Sequence, residues 1–150
     1  MAHMSECIFC QIIHKKAPAS IIYEDEQVAA FLSNRPVNEG HTLVIPKNHY
    51  ESIFDLSEED TAYLFKIVKR VTHAVRDATI SEGIRIVQNN GAAAGQVVFH
   101  FHVHIIPMQT HNRFSHDGAF RDSITCRDAK TLEKDAEKIR SLIRQTKSRK

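Results

Sequence analysis

Several common sequence features are missing from this 150-residue chain. No apolar run approaches the roughly 20 residues that a membrane-spanning helix needs, so no membrane association is expected. No signal peptide precedes the first charged residues, which favours a cytoplasmic location. The net charge of +2 is too small to indicate a nucleic-acid partner. No repeat, linker or low-complexity block divides the chain, and its length fits one domain.

Cysteine is scarce as well, with three residues at positions 7, 10 and 126. An odd number of cysteines in a chain expected in the cytoplasm argues against a disulfide framework. Cys7 and Cys10 form a C-x-x-C, which is typical of half a zinc site, of a redox pair, or of two small buried hydrophobic residues. No base accompanies Cys126 in the sequence, so an unreactive thiol is expected there.

The hydrophobic pattern predicts an α+β fold. Strands are expected over 20–24, 27–32, 41–46, 84–88 and 96–106, with a tight hairpin between the first two and with Pro107 stopping the last. A long helix should begin after Ser57 as its N-cap and end before Gly83. A short helix or turn is expected over 7–14, and a charged helix over 129–145. Together these elements predict an antiparallel sheet of about five strands, with the long helix packed on one face.

The chain is expected to have three parts. Residues 1–6 should be disordered, and their MAHM is typical of a cloning remnant. Residues 7–110 form the domain that carries the candidate chemistry. Residues 111–150 add an irregular tail and the C-terminal helix of the same domain.

Residues 100–107, HFHVHIIP, place three histidines at alternate positions. Successive side chains of a strand point to opposite faces, so His100, His102 and His104 should share one face. The apolar residues between and beside them should pack under the helix on the other face: Phe99, Phe101, Val103 and Ile105. A solvated strand face would also explain the alternation, but Thr, Lys or Glu would serve equally well there. The pattern therefore favours a chemical role.

Two roles are open to these imidazoles. One is metal binding, because Cys7, Cys10, His49 and His100 would form the two-sulfur, two-nitrogen set that zinc favours. Four protein ligands leave no open position, so this zinc would be structural; His49 taken alone is equally well a surface histidine. The other role is nucleophilic catalysis at phosphorus, in which the second ring nitrogen donates its hydrogen to a backbone carbonyl. His102, His104 and His41 remain for this second role.

The quoted residues resemble the histidine-triad family, whose signature is H-φ-H-φ-H-φ-φ with φ apolar. Residues 100–106 match every position of this signature. The stretches CIFCQII, YEDEQVAAFL, GHTLVIPKNH and NNGAAAGQVVFHFHVHIIP resemble blocks of bacterial members, in the same order, across residues 7–107. The resemblance implies a histidine-triad domain over 7–110, a homodimer whose sheet continues across the interface, and a purine nucleotide as substrate. It implies no organic cofactor.

The resemblance also implies roles for individual residues. His102 would be the nucleophile that takes the nucleotidyl group, while His104 and His41 would orient it and contact the phosphate. Cys7, Cys10, His49 and His100 match the zinc ligands of related proteins. The nucleotide would be contacted by two loops and the end of the second strand, through Asn89, Gly95, Gln96, Val97, Ser33, Asn34, Phe31 and Leu32.

Two positions depart from the family pattern. Many members carry Ser or Thr where this chain has Val97, and the missing hydroxyl predicts poorer assistance to the leaving group. Many members carry Asp where this chain has Ser33. A serine accepts hydrogen bonds from ribose hydroxyls less strongly than a carboxylate does, which predicts weaker ribose binding or compensation from Asn34.

Four functions follow as hypotheses. The first is a hydrolase of nucleoside phosphoramidates that works through nucleotidyl-His102. A hydrolase of dinucleoside polyphosphates is its rival within the family. The third is a nucleotide-binding interaction module held together by zinc, with weak activity. The fourth is a cupin-like metalloenzyme, against which the long helix and the C-x-x-C argue.

Overall fold

The computed structural model describes residues 7–110 and 127–147, apart from the side chains of 144–147. The expectations for residues 1–6, for Cys126 and for the tail up to residue 126 lie outside the described residues. In chain order the elements are α1 (Ile8–Ile13), β1 (Ile21–Glu24), β2 (Val28–Leu32), β3 (Thr42–Pro46), α2 (Glu58–Thr79), β4 (Gly83–Gln88), β5 (Val103–Met108) and α3 (Ala129–Lys147). A 3-10 turn, Ala92–Ala94, lies between β4 and β5. No helix among these elements is long and apolar enough to cross a membrane.

The strands form one antiparallel sheet of five strands in the order β1-β2-β3-β5-β4, which confirms the predicted α+β class. Asp25 closes the hairpin between β1 and β2, because its Oδ1 accepts the backbone N–H groups of Gln27 and Val28, each at 2.8 Å. Its Oδ2 accepts the hydroxyl of Tyr63 in α2 at 2.7 Å. The hairpin is therefore fixed to the long helix.

The two long helices cover one face of the sheet. Ser57 caps α2 as predicted, since its Oγ accepts the N–H of Asp60 at 3.0 Å. The apolar side of α2 packs against the sheet, and α3 lies beside α2 over β1 and β2. The core between them includes Val44, Leu64, Ile67, Val68, Val71, Val75, Phe101, Val103, Ile105, Ala136 and Ile139.

The opposite face of the sheet carries α1 and a second apolar cluster. This cluster consists of Cys7, Phe9, Cys10, Ile12, Ala29, Phe31, Leu43 and Ile45. Because both faces are covered in the middle of the sheet, every residue of β2 and β3 is buried. The histidines of the candidate site lie on this second face, at the edge of the cluster.

The last strand differs from the prediction at both ends. It begins at Val103 rather than at residue 96, because β3 pairs with it only at Val103, His104 and Ile105. Phe99, expected in the core, is consequently 39% exposed. The strand also runs through Pro107, which lies opposite Ile84 of β4.

Pro107 is tolerated because of the direction in which its backbone faces. Its carbonyl accepts the side-chain amide of Asn38 at 2.8 Å, beyond the end of β3. The nitrogen and the carbonyl of one strand residue face the same neighbour. The nitrogen of Pro107 therefore faces the side on which β3 has already ended, so no strand hydrogen bond is lost there.

Candidate active site and metal centre

Three histidines meet where β3 and β5 pair. Leu43 and His104 are register partners, which places His41, just before β3, beside the imidazole of His104. His41 Nε2 and His104 Nδ1 lie 2.9 Å apart, and the ring of His102 lies 4.9 Å from that of His104, centroid to centroid. The sequence prediction grouped these three residues, and the structure brings them together.

Gly40 makes the entry to β3 possible. Its φ is +88°, and a Cβ there would lie 2.6 Å from Cγ2 of Thr79 and 3.3 Å from Cγ of Pro107. Only glycine adopts this conformation at no steric cost and leaves room for the end of α2. His41 is consequently held against the sheet, with 1% of its surface exposed.

His102 presents one ring nitrogen as a donor and the other as an acceptor. Its Nδ1 lies 2.7 Å from the carbonyl oxygen of His100, which can only accept, so the hydrogen must be on Nδ1. In the neutral ring Nε2 then carries the lone pair. No group among the described residues forms a hydrogen bond with this Nε2. This is the arrangement that a nucleophilic imidazole requires.

The hydrogen positions of the neighbouring pair follow from the same reasoning. The N–H of Val37 donates to His41 Nδ1 at 3.0 Å, so the hydrogen of His41 is on Nε2 and is donated to His104 Nδ1. The hydrogen of His104 is therefore on its Nε2. A second proton on either ring would break one of these hydrogen bonds, so both rings are neutral.

Burial also favours the neutral form of these rings, because it lowers the pKa of each. It lowers the pKa of His41 to about 4, with a smaller contribution from repulsion by His102. Burial and then repulsion by His102 and His41 lower the pKa of His104 to about 3. The pKa of His102 is also lowered by burial, against the opposing effect of its hydrogen bond to the His100 carbonyl. At neutral pH the cluster is uncharged.

The second cluster consists of Cys7, Cys10, His49 and His100. One ligand atom from each residue lies within 4.8 Å of the other three. His100 Nδ1 is 3.5 Å from Sγ of Cys7 and 3.6 Å from Sγ of Cys10, and His49 Nδ1 is 3.3 Å from Sγ of Cys10. The four predicted residues are therefore adjacent, although 93 positions separate Cys7 from His100 in the chain.

These distances fit a tetrahedral zinc site. Zinc–sulfur bonds of about 2.3 Å and zinc–nitrogen bonds of about 2.0–2.1 Å place sulfur and nitrogen ligands about 3.6 Å apart at the tetrahedral angle. His100 is also oriented for binding, because its Nε2 donates to the carbonyl of Pro46 at 2.8 Å and leaves Nδ1 as the acceptor. Such a backbone partner is the usual outer contact of a metal-bound histidine. The residues fit the ion.

Phe9 separates the two clusters. Its ring centroid lies 5.8 Å from that of His100, 5.2 Å from that of His102 and 5.5 Å from that of Phe31, each in edge-to-face geometry. The ring restricts the orientations of both imidazoles. Sequence reasoning did not assign a role to Phe9, although its position inside the C-x-x-C was the available signal.

The loop after β4 carries the predicted phosphate contacts. Asn89 and Gly95 are neighbours, since a Cβ at Gly95 would lie 3.9 Å from Nδ2 of Asn89. Val97 is 83% exposed. The amide of Gln96 donates to the carbonyls of Glu51 (2.6 Å) and Val98 (3.1 Å). Both of its hydrogens are used inside the protein and fix the loop, and a contact of Gln96 with the phosphate stays a prediction.

The residues predicted for the sugar and base divide between the two faces of the sheet. Ser33 lies next to the histidines, because its N–H donates to the His41 carbonyl at 2.9 Å, and Asn34 beside it is exposed. Phe31 belongs to the apolar cluster on the histidine face. Leu32 was predicted for the same pocket, but it lies in the core under the helices. Adjacent strand residues point to opposite faces, so Leu32 and Phe31 cannot line one pocket.

The comparisons with known proteins identify the family. The HIT (histidine triad) domain family matches residues 14–111. The chain belongs to this family of nucleotide-binding hydrolases and transferases.

Among relatives, adenylylsulfatase HINT3 of Arabidopsis thaliana is 35% identical over 140 residues, covering 93% of this chain and 68% of that protein. Two solved structures have the same fold. A hypothetical histidine triad nucleotide-binding protein of Sulfolobus tokodaii has a TM-score of 0.84 at 38% identity and covers 94% of each chain. A zinc-bound histidine triad family protein of Mycobacterium smegmatis has a TM-score of 0.80 at 34% identity, covering 97% of this chain and 99% of the other.

Proposed function

We propose that this protein hydrolyses nucleotides at the α-phosphate through a covalent nucleotidyl-His102 intermediate. The observation that carries the proposal is the 2.7 Å contact between His102 Nδ1 and the His100 carbonyl. This contact fixes the ring and directs the lone pair of Nε2 away from the backbone.

The reaction has two displacements. In the first, the lone pair of His102 Nε2 forms a bond to the α-phosphorus while the bond from phosphorus to the leaving group breaks, and the leaving group takes that electron pair. An amine leaving group also takes a proton from solvent as it departs. The ring keeps its hydrogen on Nδ1 and becomes a phosphorylated imidazolium. In the second, water attacks the phosphorus, the bond to Nε2 breaks, and the electron pair returns to the ring. Nucleoside monophosphate and one proton are released.

The neighbouring groups stabilise the transferring phosphoryl group. His104 carries its hydrogen on Nε2, as the contact from His41 requires, so it serves as a neutral donor to a phosphate oxygen. His41 positions His104. The side-chain amide of Asn89, next to Gly95, would donate to the same phosphate, whereas the N–H of Gly95 donates to the Ala92 carbonyl at 3.0 Å. Ser33, Asn34 and Phe31 would contact the sugar and base.

Cys7, Cys10, His49 and His100 would hold a structural zinc ion. Zinc bound there would connect α1 to the segments that carry His49 and His100, and would supply no Lewis-acid chemistry to the reaction because all four positions are filled. The zinc-bound relative from Mycobacterium smegmatis supports this assignment.

The expected substrates are purine nucleoside phosphoramidates or related nucleotides, with dinucleoside polyphosphates as the alternative. Sulfate is a third candidate leaving group, because one relative is named adenylylsulfatase, which indicates a nucleotide joined to sulfate. The absence of a hydroxyl at Val97 predicts that an amine, which must take up a proton to depart, leaves more slowly than sulfate, which need not. We also propose a cytoplasmic homodimer, formed through an edge of the sheet; β4 is an edge strand of the sheet that the described residues form, and its Ile86 is 47% exposed.

Replacement of His102 tests the function. His102→Ala should abolish turnover of an AMP-amine conjugate, of adenylyl sulfate and of a diadenosine polyphosphate, while AMP still binds. The matched control is His73→Ala, at an exposed position of α2, which should keep wild-type rates. Hydrolysis by the His102→Ala protein at the wild-type rate would refute the proposal, and the ratio of rates on the three substrates identifies the preferred leaving group.

A further inference from the structure

The segment that follows His49 joins the two clusters described above. Residues 51–56 contain neither helix nor strand, so contacts with other parts of the chain determine their position. At one end His49 lies 3.3 Å from the sulfur of Cys10. The next carbonyl, that of Tyr50, accepts the N–H of Phe101 at 2.6 Å, between His100 and His102.

The same segment is bound to the loop that carries the predicted phosphate contacts. Asn90 Oδ1 accepts the N–H of Ile53 at 2.8 Å, and Gln96 Nε2 donates to the Glu51 carbonyl at 2.6 Å. Gln96 Oε1 also accepts the N–H of Gly91 at 2.7 Å, which folds the loop back on itself. These hydrogen bonds fix the conformation of residues 89–97, here called the phosphate loop, against the backbone of residues 51–53.

Asn90 is itself held in place on its other side. Its carboxamide and that of Gln88 exchange hydrogen bonds in both directions. This pairing fixes the orientation of Oδ1 towards Ile53, because the amide group cannot rotate without losing two contacts. The side chain of Asn90 contacts neither cluster directly, so it acts through the two backbone segments that it joins.

We propose that Asn90 is a positioning residue that couples metal binding at Cys7, Cys10, His49 and His100 to nucleotide binding at the phosphate loop. A metal ion that holds His49 orders residues 50–53, and Asn90 passes that order to the loop containing Asn89 and Gly95. The inference rests on the proposed function, since it assumes that the loop contacts the nucleotide. Occupied metal and bound nucleotide should each raise the affinity for the other by the same factor.

The experiment uses the full chain with zinc and AMP as probes. Isothermal titration calorimetry gives the AMP dissociation constant for zinc-loaded and for chelator-stripped protein. The wild type should bind AMP about five- to tenfold more tightly with zinc, at the low end of typical coupling between sites. Asn90→Ala should lower this ratio towards one, because only the hydrogen bond from Gln96 to the Glu51 carbonyl then joins the segment to the loop. Asn48→Ala, an exposed asparagine next to His49, is the matched control and should keep the wild-type ratio.

The outcomes separate the inference from the proposed function. If zinc-loaded wild type fails to bind AMP, the proposed function is wrong. If AMP binds equally well with and without zinc, or if Asn90→Ala keeps the wild-type ratio, the coupling is wrong and the proposed function stands.

A second measurement serves if the stripped protein unfolds, as circular dichroism would reveal. In zinc-loaded protein, amide hydrogen exchange at Ile53 and Gly91 should be about tenfold faster in Asn90→Ala than in wild type or Asn48→Ala, since the substitution removes one of the two hydrogen bonds that hold the segment to the loop. Unchanged exchange at both amides would overturn the proposal.

Discussion

The neutral pair formed by His41 and His104 should make the protein sensitive to mild acid. In the unfolded chain a histidine has a pKa of about 6.5, whereas the folded protein lowers the pKa to about 4 for His41 and to about 3 for His104. Between these values the unfolded state binds more protons than the folded state. The free energy of unfolding therefore falls as the pH falls below about 6.5.

The size of the effect follows from the linkage between proton binding and stability. At pH 5, each histidine that stays neutral only in the folded protein lowers the free energy of unfolding by about 2 kcal/mol relative to pH 7.5. The pair together contributes about 4 kcal/mol, which is a large fraction of the stability of a small domain. Full stability should return above pH 7, where both states carry neutral histidines.

Urea unfolding followed by circular dichroism at pH 7.5 and pH 5 measures this loss. Protonation of the metal ligands adds to it, so the comparison is made against a variant that leaves those ligands unchanged. In His104→Gln the new amide oxygen can still accept the hydrogen of His41 Nε2, but position 104 no longer titrates. The loss of stability between the two pH values should shrink by about 2 kcal/mol. His73→Gln, at an exposed position, should behave as wild type. An equal loss in His104→Gln and in wild type would refute the reasoning.

Substitutions at three further positions test zinc binding, backbone strain at the end of α2 and the proposed dimer interface. Mass spectrometry under native conditions should find one zinc per chain in wild type and none in Cys10→Ala, and equal zinc content in the two proteins would contradict the four-ligand site. Ile80→Gly should raise the free energy of unfolding in urea by about 1 kcal/mol, because Ile80 has φ +50° at the end of α2, while Ile80→Ala should leave it nearly unchanged; a destabilised glycine variant would contradict this. Ile86→Lys should shift a dimer towards monomer in analytical ultracentrifugation, and an unchanged mass would argue against the β4 edge as the interface.

Local patterns were sufficient to predict most of the fold. Ser57, followed by three acidic residues, marks the start of α2, and the spacing of apolar residues marks its buried face. The start of β5 could not be predicted in the same way. Phe101 is buried and its neighbours alternate with it, as in a strand, but its N–H donates to Tyr50 rather than to a strand. Side-chain alternation is a local property, whereas strand pairing depends on which backbone lies alongside.

The candidate site, like the fold, could be predicted from the sequence only in part. The residue types and their spacing were sufficient to group Cys7 with His100 and His41 with His104, because few other side chains bind zinc or activate an imidazole. Sequence patterns could not predict that Gln96 uses its amide within the protein, since this depends on the carbonyl of Glu51, 45 residues away. The role of Asn90 is equally non-local, because its partner Ile53 lies 37 residues away. The Val37 N–H lies only four residues from His41, but a backbone donor belongs to no sequence pattern that indicates chemistry.

The most direct test of the central claim is a rapid-quench experiment read by peptide mass spectrometry. Protein mixed with a nucleotide substrate and quenched before steady state should carry one nucleotidyl group, located on His102 and absent from His102→Ala. A nucleotidyl group on any other histidine, or turnover of the substrate with no covalent adduct at any quench time, would contradict the account.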